Sequence, residues 1–204
     1  MKLLITRHGE SEANVRQIIS NRDLQHVLTQ KGKEQALQLA DDLAAYDVND
    51  IYCSPILRAR ETAEIVACRL ELGFTITDAL LEFDCGMMEG RGDAEAWQAH
   101  SATVRAWDVY RQYDRCIPPD GESFHDMQDR FLPFMAEITG QSEGTATDIL
   151  LISHGGMLHQ MLPLFLANID RDFTRRNQLK NCALVVAEEG NGGWRCVEWS
   201  GRKM

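Results

Sequence analysis

Three stretches of the chain share one layout: a short apolar strand, a polar turn, then residues at helical spacing. They are Ile5-Thr6-Arg7-His8-Gly9, Tyr52-Cys53-Ser54-Pro55 through Arg58, and Ile152-Ser153-His154-Gly155-Gly156. In open α/β sheets, ligands collect beyond the carboxyl ends of the strands. Arg7, His8, Arg58 and His154 are therefore placed to converge on one crevice. Helix N-termini at the same edge would add backbone N–H donors and a dipole that favours an anion. Two arginines, two histidines and helix starts describe a phosphate pocket. Arginine matches phosphate with forked donors and keeps its charge.

Histidine in such a pocket points to phosphoryl transfer. A neutral imidazole can take a phosphoryl group as a nucleophile, while flanking cations neutralise charge on the oxygens in flight. The leaving oxygen then needs a proton, so a carboxylic acid must lie close. Glu82, Asp84 and Glu89 are the candidates, all within the run Leu81-Glu82-Phe83-Asp84-Cys85-Gly86-Met87-Met88-Glu89-Gly90. The acid would need a pKa raised by burial to be protonated near neutrality. Residue types alone leave the three open.

The run Arg7-His8-Gly9-Glu10-Ser11-Glu12-Ala13-Asn14 resembles the signature of the histidine phosphatase superfamily, the phosphoglycerate-mutase-like fold. It is followed in order by Leu28-Thr29-x-x-Gly32-x-x-Gln35-Ala36, then Ser54-Pro55-x-x-Arg58-Ala59-Arg60-x-Thr62-Ala63. Glu82-x-Asp84-x-Gly86-x-x-Glu89-Gly90, Pro119-Asp120-Gly121-Glu122-Ser123 and Ser153-His154-Gly155-Gly156 complete the set. The resemblance runs from residue 7 to residue 156. It implies that His8 is the phosphorylated nucleophile and that Arg7, Arg58 and His154 bind the phosphoryl group. It makes Glu82 the general acid, and later the base that activates water. Asn14 would add a hydrogen bond in the pocket. No metal and no cofactor are implied, and the partner would be a small phosphorylated metabolite.

Several departures separate this chain from the mutase branch. Ala13 stands where that branch usually has Trp, its Gly-Trp pair near Asn21-Arg22 is absent, and the stretch between acid and second histidine is shorter. The likeness is to the smaller phosphatases, including those acting on fructose-2,6-bisphosphate, α-ribazole phosphate or mixed metabolites. Glu61 and Met88 replace a common Gln and Trp away from the chemistry. The expectation is a metal-independent phosphomonoester hydrolase working through a phosphohistidine. The alternatives are a phosphoglycerate mutase, or a regulatory protein that binds phosphate without turnover. The last would usually have lost the nucleophile or the acid, and both are present.

The elements that position these residues can be read from periodicity. Strands are expected at 3–6, 50–53, 74–77, 149–153, 182–188 and 194–199, the last two joined by the hairpin signal Gly190-Asn191-Gly192-Gly193. Helices are expected at 31–46, from Ser54-Pro55 to about 72, at 93–112, at 123–139, and from Gly155-Gly156 to about 167. Ser54-Pro55 reads as an N-cap followed by proline at the first helical position. The alternation implies a three-layer α/β sandwich around a largely parallel sheet. The stretch 92–140 lacks strand-like runs and reads as a helical cap inserted into one domain spanning 1–204.

Composition sets the outer bounds. With 21 basic and 31 acidic residues among 204, the net charge is −10. That argues against nucleic acid or an anionic membrane as the main partner, although a local arginine cluster can still hold a small anion. No window approaches a transmembrane span. The apolar run after Met1 is too short for a signal peptide, so a cytoplasmic location is expected. The six cysteines include no Cys-x-x-Cys pair and are expected to be reduced and mostly buried. No Gly-x-Ser-x-Gly elbow surrounds Ser153, and Walker A, Gly-x-Gly-x-x-Gly and His-Glu-x-x-His motifs are absent.

Other polar residues carry weaker expectations. His26, His100 and His159 read as packing residues, and Arg60 as a surface or ion-pair residue. His125 and Glu122 are candidate substrate contacts beyond the Pro-Asp-Gly turn. Arg16, Arg22 and Arg91 are candidate rim contacts. Glu10 and Glu12 fit the N-terminal end of a helix. Oligomeric state is left open.

Overall fold

The structure, a computed structural model, describes residues 1–22, 26–117, 119–140 and 147–204; Pro118 of the expected 116–121 turn lies outside them. Seven strands form one sheet: β1 (Lys2–Arg7), β2 (Val48–Cys53), β3 (Thr75–Ile76), β4 (Asp148–Ser153), β5 (Leu184–Gly190), β6 (Gly193–Trp199) and β7 (Arg202–Lys203). Their order is β3-β2-β4-β1-β5-β6-β7. The four strands from β3 to β1 are mutually parallel, and β5 turns antiparallel against β1. The hairpin then continues the sheet to a short edge carrying Arg202 and Lys203, the charged kind of edge that discourages pairing between chains.

β1 and β4 are buried on both faces, so they read as continuous apolar runs rather than alternating ones. Alternate side chains still go to opposite layers. Leu4, Leu150 and Ile152 pack beneath α2 (Gln30–Leu43) and α3 (Leu57–Leu70), through Leu39, Leu43, Ala63 and Val66. Leu3, Ile5, Ile149 and Leu151 face the other layer, which holds α4 (Ala94–Asp108), α5 (Phe124–Gly140) and α6 (Gly155–Phe165). The three layers are the expected sandwich.

The helices of 92–140 behave differently from each other. α5 lies on the main core, burying Phe131, Met135 and Ile138 and setting Phe134 edge-on against Tyr52 of β2. α4 starts at its N-cap Asp93 and lies beside the strand ends. Arg171, at the start of α7 (Arg171–Arg176), ties these helices down by stacking on Tyr113 and Phe124 and donating to the Trp107 carbonyl.

One expected helix start is corrected. α3 begins at Leu57, with Ile56 at the N-cap position and no side-chain cap, so Ser54-Pro55 stand outside the helix. The Ser54 hydroxyl accepts from Ile56 N–H, two residues on, and meets the side chain of His154, rather than capping the first turn of α3. α1 (Glu12–Arg16), α7 and β7 are too short for periodicity to reveal.

Candidate active site

The sheet register assembles the site. Arg7 pairs with Ser153 across the β1–β4 ladder, and Cys53 with Ile152 across β2–β4. Beyond those last pairs, His8 N–H donates to the Ser153 carbonyl and Ser54 N–H to the Ile152 carbonyl, both at 3.0 Å. His8, Ser54 and His154 therefore leave three adjacent strands side by side. The His8 and His154 rings lie 5.1 Å apart.

Glycines allow the chain to close up here. A Cβ on Gly9 would lie 2.5 Å from the Gly32 carbonyl, and one on Gly156 would lie 2.8 Å from Glu82 Oε1. Thr62 of α3 then ties two site segments together, accepting from Gly9 N–H and donating to the Arg58 carbonyl.

His8 is buried, and its Nδ1 lies 2.7 Å from the Gly9 carbonyl. A carbonyl only accepts, so Nδ1 carries the proton and Nε2 a lone pair. Arg58 Nε–H donates to that lone pair at 2.9 Å. Burial first, then the charges of Arg58 and Arg7, hold His8 well below its ordinary pKa. The imidazole is neutral at pH 7, the state a nucleophile requires.

Arg58 is buried, donates to the Ser20 carbonyl at 2.6 Å, and is pulled down by burial to about 10, still charged at neutral pH. Arg7 donates to the Leu179 carbonyl, and its Nε is buried without a partner among the described residues. Among the described residues, neither guanidinium has a carboxylate within ion-pair distance. Buried charge without a counter-ion is costly unless an anion is to be bound there.

The three carboxylate candidates separate in space. Glu82 lines the cavity with Arg7, His8 and Arg58. It sits at the N-terminus of α6, where Oε1 accepts from Phe83 and Met157 N–H, and Oε2 from Gly156 N–H. Asp84 pairs with Arg22 and accepts from Gly86 N–H. Glu89 accepts the N–H groups of Asn21 and Arg22, fixing the loop whose Ser20 carbonyl holds Arg58. Asn14 also lines the cavity; its Oδ1 accepts from Ser11 N–H and Asn181 Nδ2, which leaves its NH₂ end free to donate.

The expected rim contacts are not brought in. Arg16 pairs with Glu12, Arg22 with Asp84, and Arg91 with Asp93 and Glu95. Glu122 is held by Arg130, and His125 by Asp114. None of these lines the cavity. Arg60 pairs with Glu64 on the surface, and Glu10 accepts from Lys31 and Thr29 at the start of α2.

Other residues, unremarkable in the sequence, do line it. The cavity, of about 840 Å³, extends from Arg7 and His8 along α4 to α7, past Trp97, His100, Asp108 and His159. Burial depresses His100 to about 4, and its ring rests against Phe83 and Trp97. Asp108 is held by His159 and by Gln160 Nε2, leaving Gln160 Oε1 buried and unpartnered. Trp97, His100, Val104 and Asp108 follow the i, i+3, i+4 pattern of one helix face, the only signal in the sequence that grouped them.

All six cysteines are free; Cys53, Cys85 and Cys196 are buried and Cys68 is exposed. Among the described residues, no helix is long and apolar enough to cross a membrane, and no group of three His, Cys, Asp or Glu could hold a metal ion.

Known proteins resemble this arrangement over its whole length. A probable phosphoglycerate mutase GpmB of Citrobacter koseri is 28% identical over 199 residues, covering 98% of this chain and 90% of the relative. The α-ribazole phosphatase of Shigella flexneri has a TM-score of 0.78 at 25% identity, covering 100% of this chain and 98% of that one. A mycobacterial glucosyl-3-phosphoglycerate phosphatase has a TM-score of 0.81 at 22% identity, covering 98% and 99%, and shows the shared fold. The model of the histidine phosphatase superfamily, branch 1, matches residues 3–201, and the chain belongs to that family.

Proposed function

We propose that this protein hydrolyses a small phosphorylated metabolite through a phosphohistidine at His8. One observation carries the reading: a neutral, buried His8 with its lone pair on Nε2, flanked by two arginines that have no carboxylate within ion-pair distance among the described residues.

His8 Nε2 attacks phosphorus; the P–N bond forms as the bond to the leaving oxygen breaks. A phosphoryl oxygen competes for the Arg58 Nε–H that otherwise covers the lone pair, so substrate binding uncovers the nucleophile. Arg7 and Arg58 neutralise the transferring group. Glu82 gives a proton to the leaving oxygen. A carboxylate has about four lone-pair sites; three of them accept backbone N–H groups, so the remaining site on Oε2 is where that proton is carried. Water then attacks phosphorus and returns a proton to Glu82, and the P–N electron pair returns to Nε2.

The cavity supports a leaving group well beyond a bare phosphoryl. Trp97 and His100 offer ring faces, and Gln160 offers an acceptor to a hydroxyl or N–H. The name carried by the relative from Citrobacter koseri favours a second reading, a phosphoglycerate mutase.

Phosphate release across a panel of phosphometabolites plus p-nitrophenyl phosphate, in EDTA, tests the proposal. The expected result is release from the wild type and none from His8→Ala. Release that persists in His8→Ala overturns the phosphohistidine. Transfer between 3-phosphoglycerate and its bisphosphate, without net hydrolysis, selects the mutase.

A further inference from the structure

We infer that Ser54 is a positioning residue: its hydroxyl fixes the tautomer of His154, so that Nδ1–H is the edge offered to the phosphoryl group. The inference rests on the phosphoryl-transfer reading and adds a residue to it.

The hydroxyl is confined. Ser54 is fully buried, and its own N–H is held by the Ile152 carbonyl in line with the sheet. Its Oγ accepts from Ile56 N–H at 3.3 Å and lies 2.7 Å from His154 Nε2. His154 is fully buried, and burial together with the charges of Arg58 and Arg7 keeps it neutral. A neutral imidazole has one N–H and one lone pair, so the Ser54 contact decides which nitrogen carries which.

Counting polar groups separates the two tautomers. If Nε2 carried the proton, Ser54 Oγ would accept it in addition to Ile56 N–H. The serine hydrogen would then have no acceptor among the described residues, and Nδ1 would be a bare buried lone pair: two unsatisfied groups. If Ser54 donates to Nε2, its hydrogen is used, and one group is left over, Nδ1–H. Each unsatisfied buried group is disfavoured, so the second arrangement prevails. Among the described residues, His154 Nδ1 is indeed buried without a partner.

The leftover donor has a use. His154 adjoins His8, and both arginine charges act on it. An Nδ1–H there can donate to a phosphoryl oxygen, whereas a lone pair would repel it. Holding a histidine in the wrong tautomer is known to cost about 10⁴-fold in another hydrolase.

Nitrogen-15 NMR of the histidine rings tests this directly in the wild-type protein. The expected spectrum has the His154 proton on Nδ1 and a bare Nε2; a proton on Nε2 overturns the inference. Ser54→Ala is expected to lose its fixed tautomer, to fall on the order of 10²-fold in kcat/KM, and to be inhibited less by inorganic phosphate. Ser54→Thr, which keeps the hydroxyl, is expected to recover most of the loss. A folded Ser54→Ala protein with unchanged kinetics overturns the role. If Ser54→Ala does not fold, the wild-type spectrum still decides. If the wild type shows the Nδ1 tautomer and binds phosphate but hydrolyses nothing, the hydrolase reading fails while the Ser54 assignment stands.

Discussion

Arg58 and Arg130 are both largely withdrawn from solvent, yet they are held in opposite ways. Arg130 grips Glu122 with two N–H groups and donates to the Asp78 and Ala79 carbonyls. Arg58 donates to a carbonyl and an imidazole and, among the described residues, has no carboxylate within ion-pair distance. Arg22 and Arg91, expected at the rim, are paired as Arg130 is. A guanidinium that has found its carboxylate braces the fold; one buried with no carboxylate in direct contact, Glu82 acting on it only across the cavity, is arranged for an anion that arrives from outside. Residue type and spacing do not separate the two cases, because pairing depends on which carboxylate the fold brings near.

The largest expected effect concerns the atom between the two unpaired arginines. His8→Ala should lower phosphate release by on the order of 10⁴-fold or more, as loss of a nucleophile does. A residual rate within tenfold of wild type would break the argument.

Next, the arginines can be set against each other. Arg58→Met is expected to reduce kcat/KM about 10²- to 10³-fold while the melting temperature changes little, because the gain from removing a buried charge is offset by the Ser20 carbonyl and His8 lone pair left unpaired. Arg130→Met should do the reverse. It strands Glu122 and two carbonyls, so stability falls by about 1–3 kcal/mol, while kcat/KM measured below the transition changes less than about threefold. Equal behaviour of the two variants would erase the distinction.

Acid should test the cost of the same charges. His8 and His154 are held well below the ordinary histidine value of 6.5, and His100 near 4. The unfolded chain takes up protons at these residues near 6.5 while the native chain does not. Their contribution to stability is therefore complete above that pH and is lost as pH falls below it. His26 is lowered as well, and Glu89, raised by burial, acts in the opposite sense, one group against four. The urea midpoint is expected to drop between pH 7.5 and 5, and less steeply in His100→Phe.

The smallest effect is expected at the α4 wall of the cavity. Trp97→Ala should change the relative kcat/KM among substrates by no more than about tenfold. Inhibition by inorganic phosphate, which reaches only the arginine end, should be unchanged. A large loss of phosphate affinity would mean that the α4 wall and the arginines are not independent.

The frame, and which residues converge on one pocket, were legible in the residues alone. Continuous apolar runs at β1 and β4 had to be central strands, and Arg7, His8, Arg58 and His154 follow strand ends, so a parallel sheet brings them together whatever the details. Alternatives stayed open where tertiary neighbours decide. Glu82, Asp84 and Glu89 are equivalent as residue types; the start of α6 claims Glu82, Arg22 claims Asp84, and the 21–22 backbone claims Glu89. His100 and His159 read as packing residues because nothing in their local sequence shows that α4 and α6 flank the cavity. Ser54 read as a helix cap because its local pattern is that of one, and only the β2–β4 register reveals a histidine 2.7 Å away. Local order is set by periodicity and turn chemistry within a few residues. The partner of a charge or a hydroxyl is set by contacts between residues that can lie a hundred or more positions apart, and those exist only once the sheet has formed.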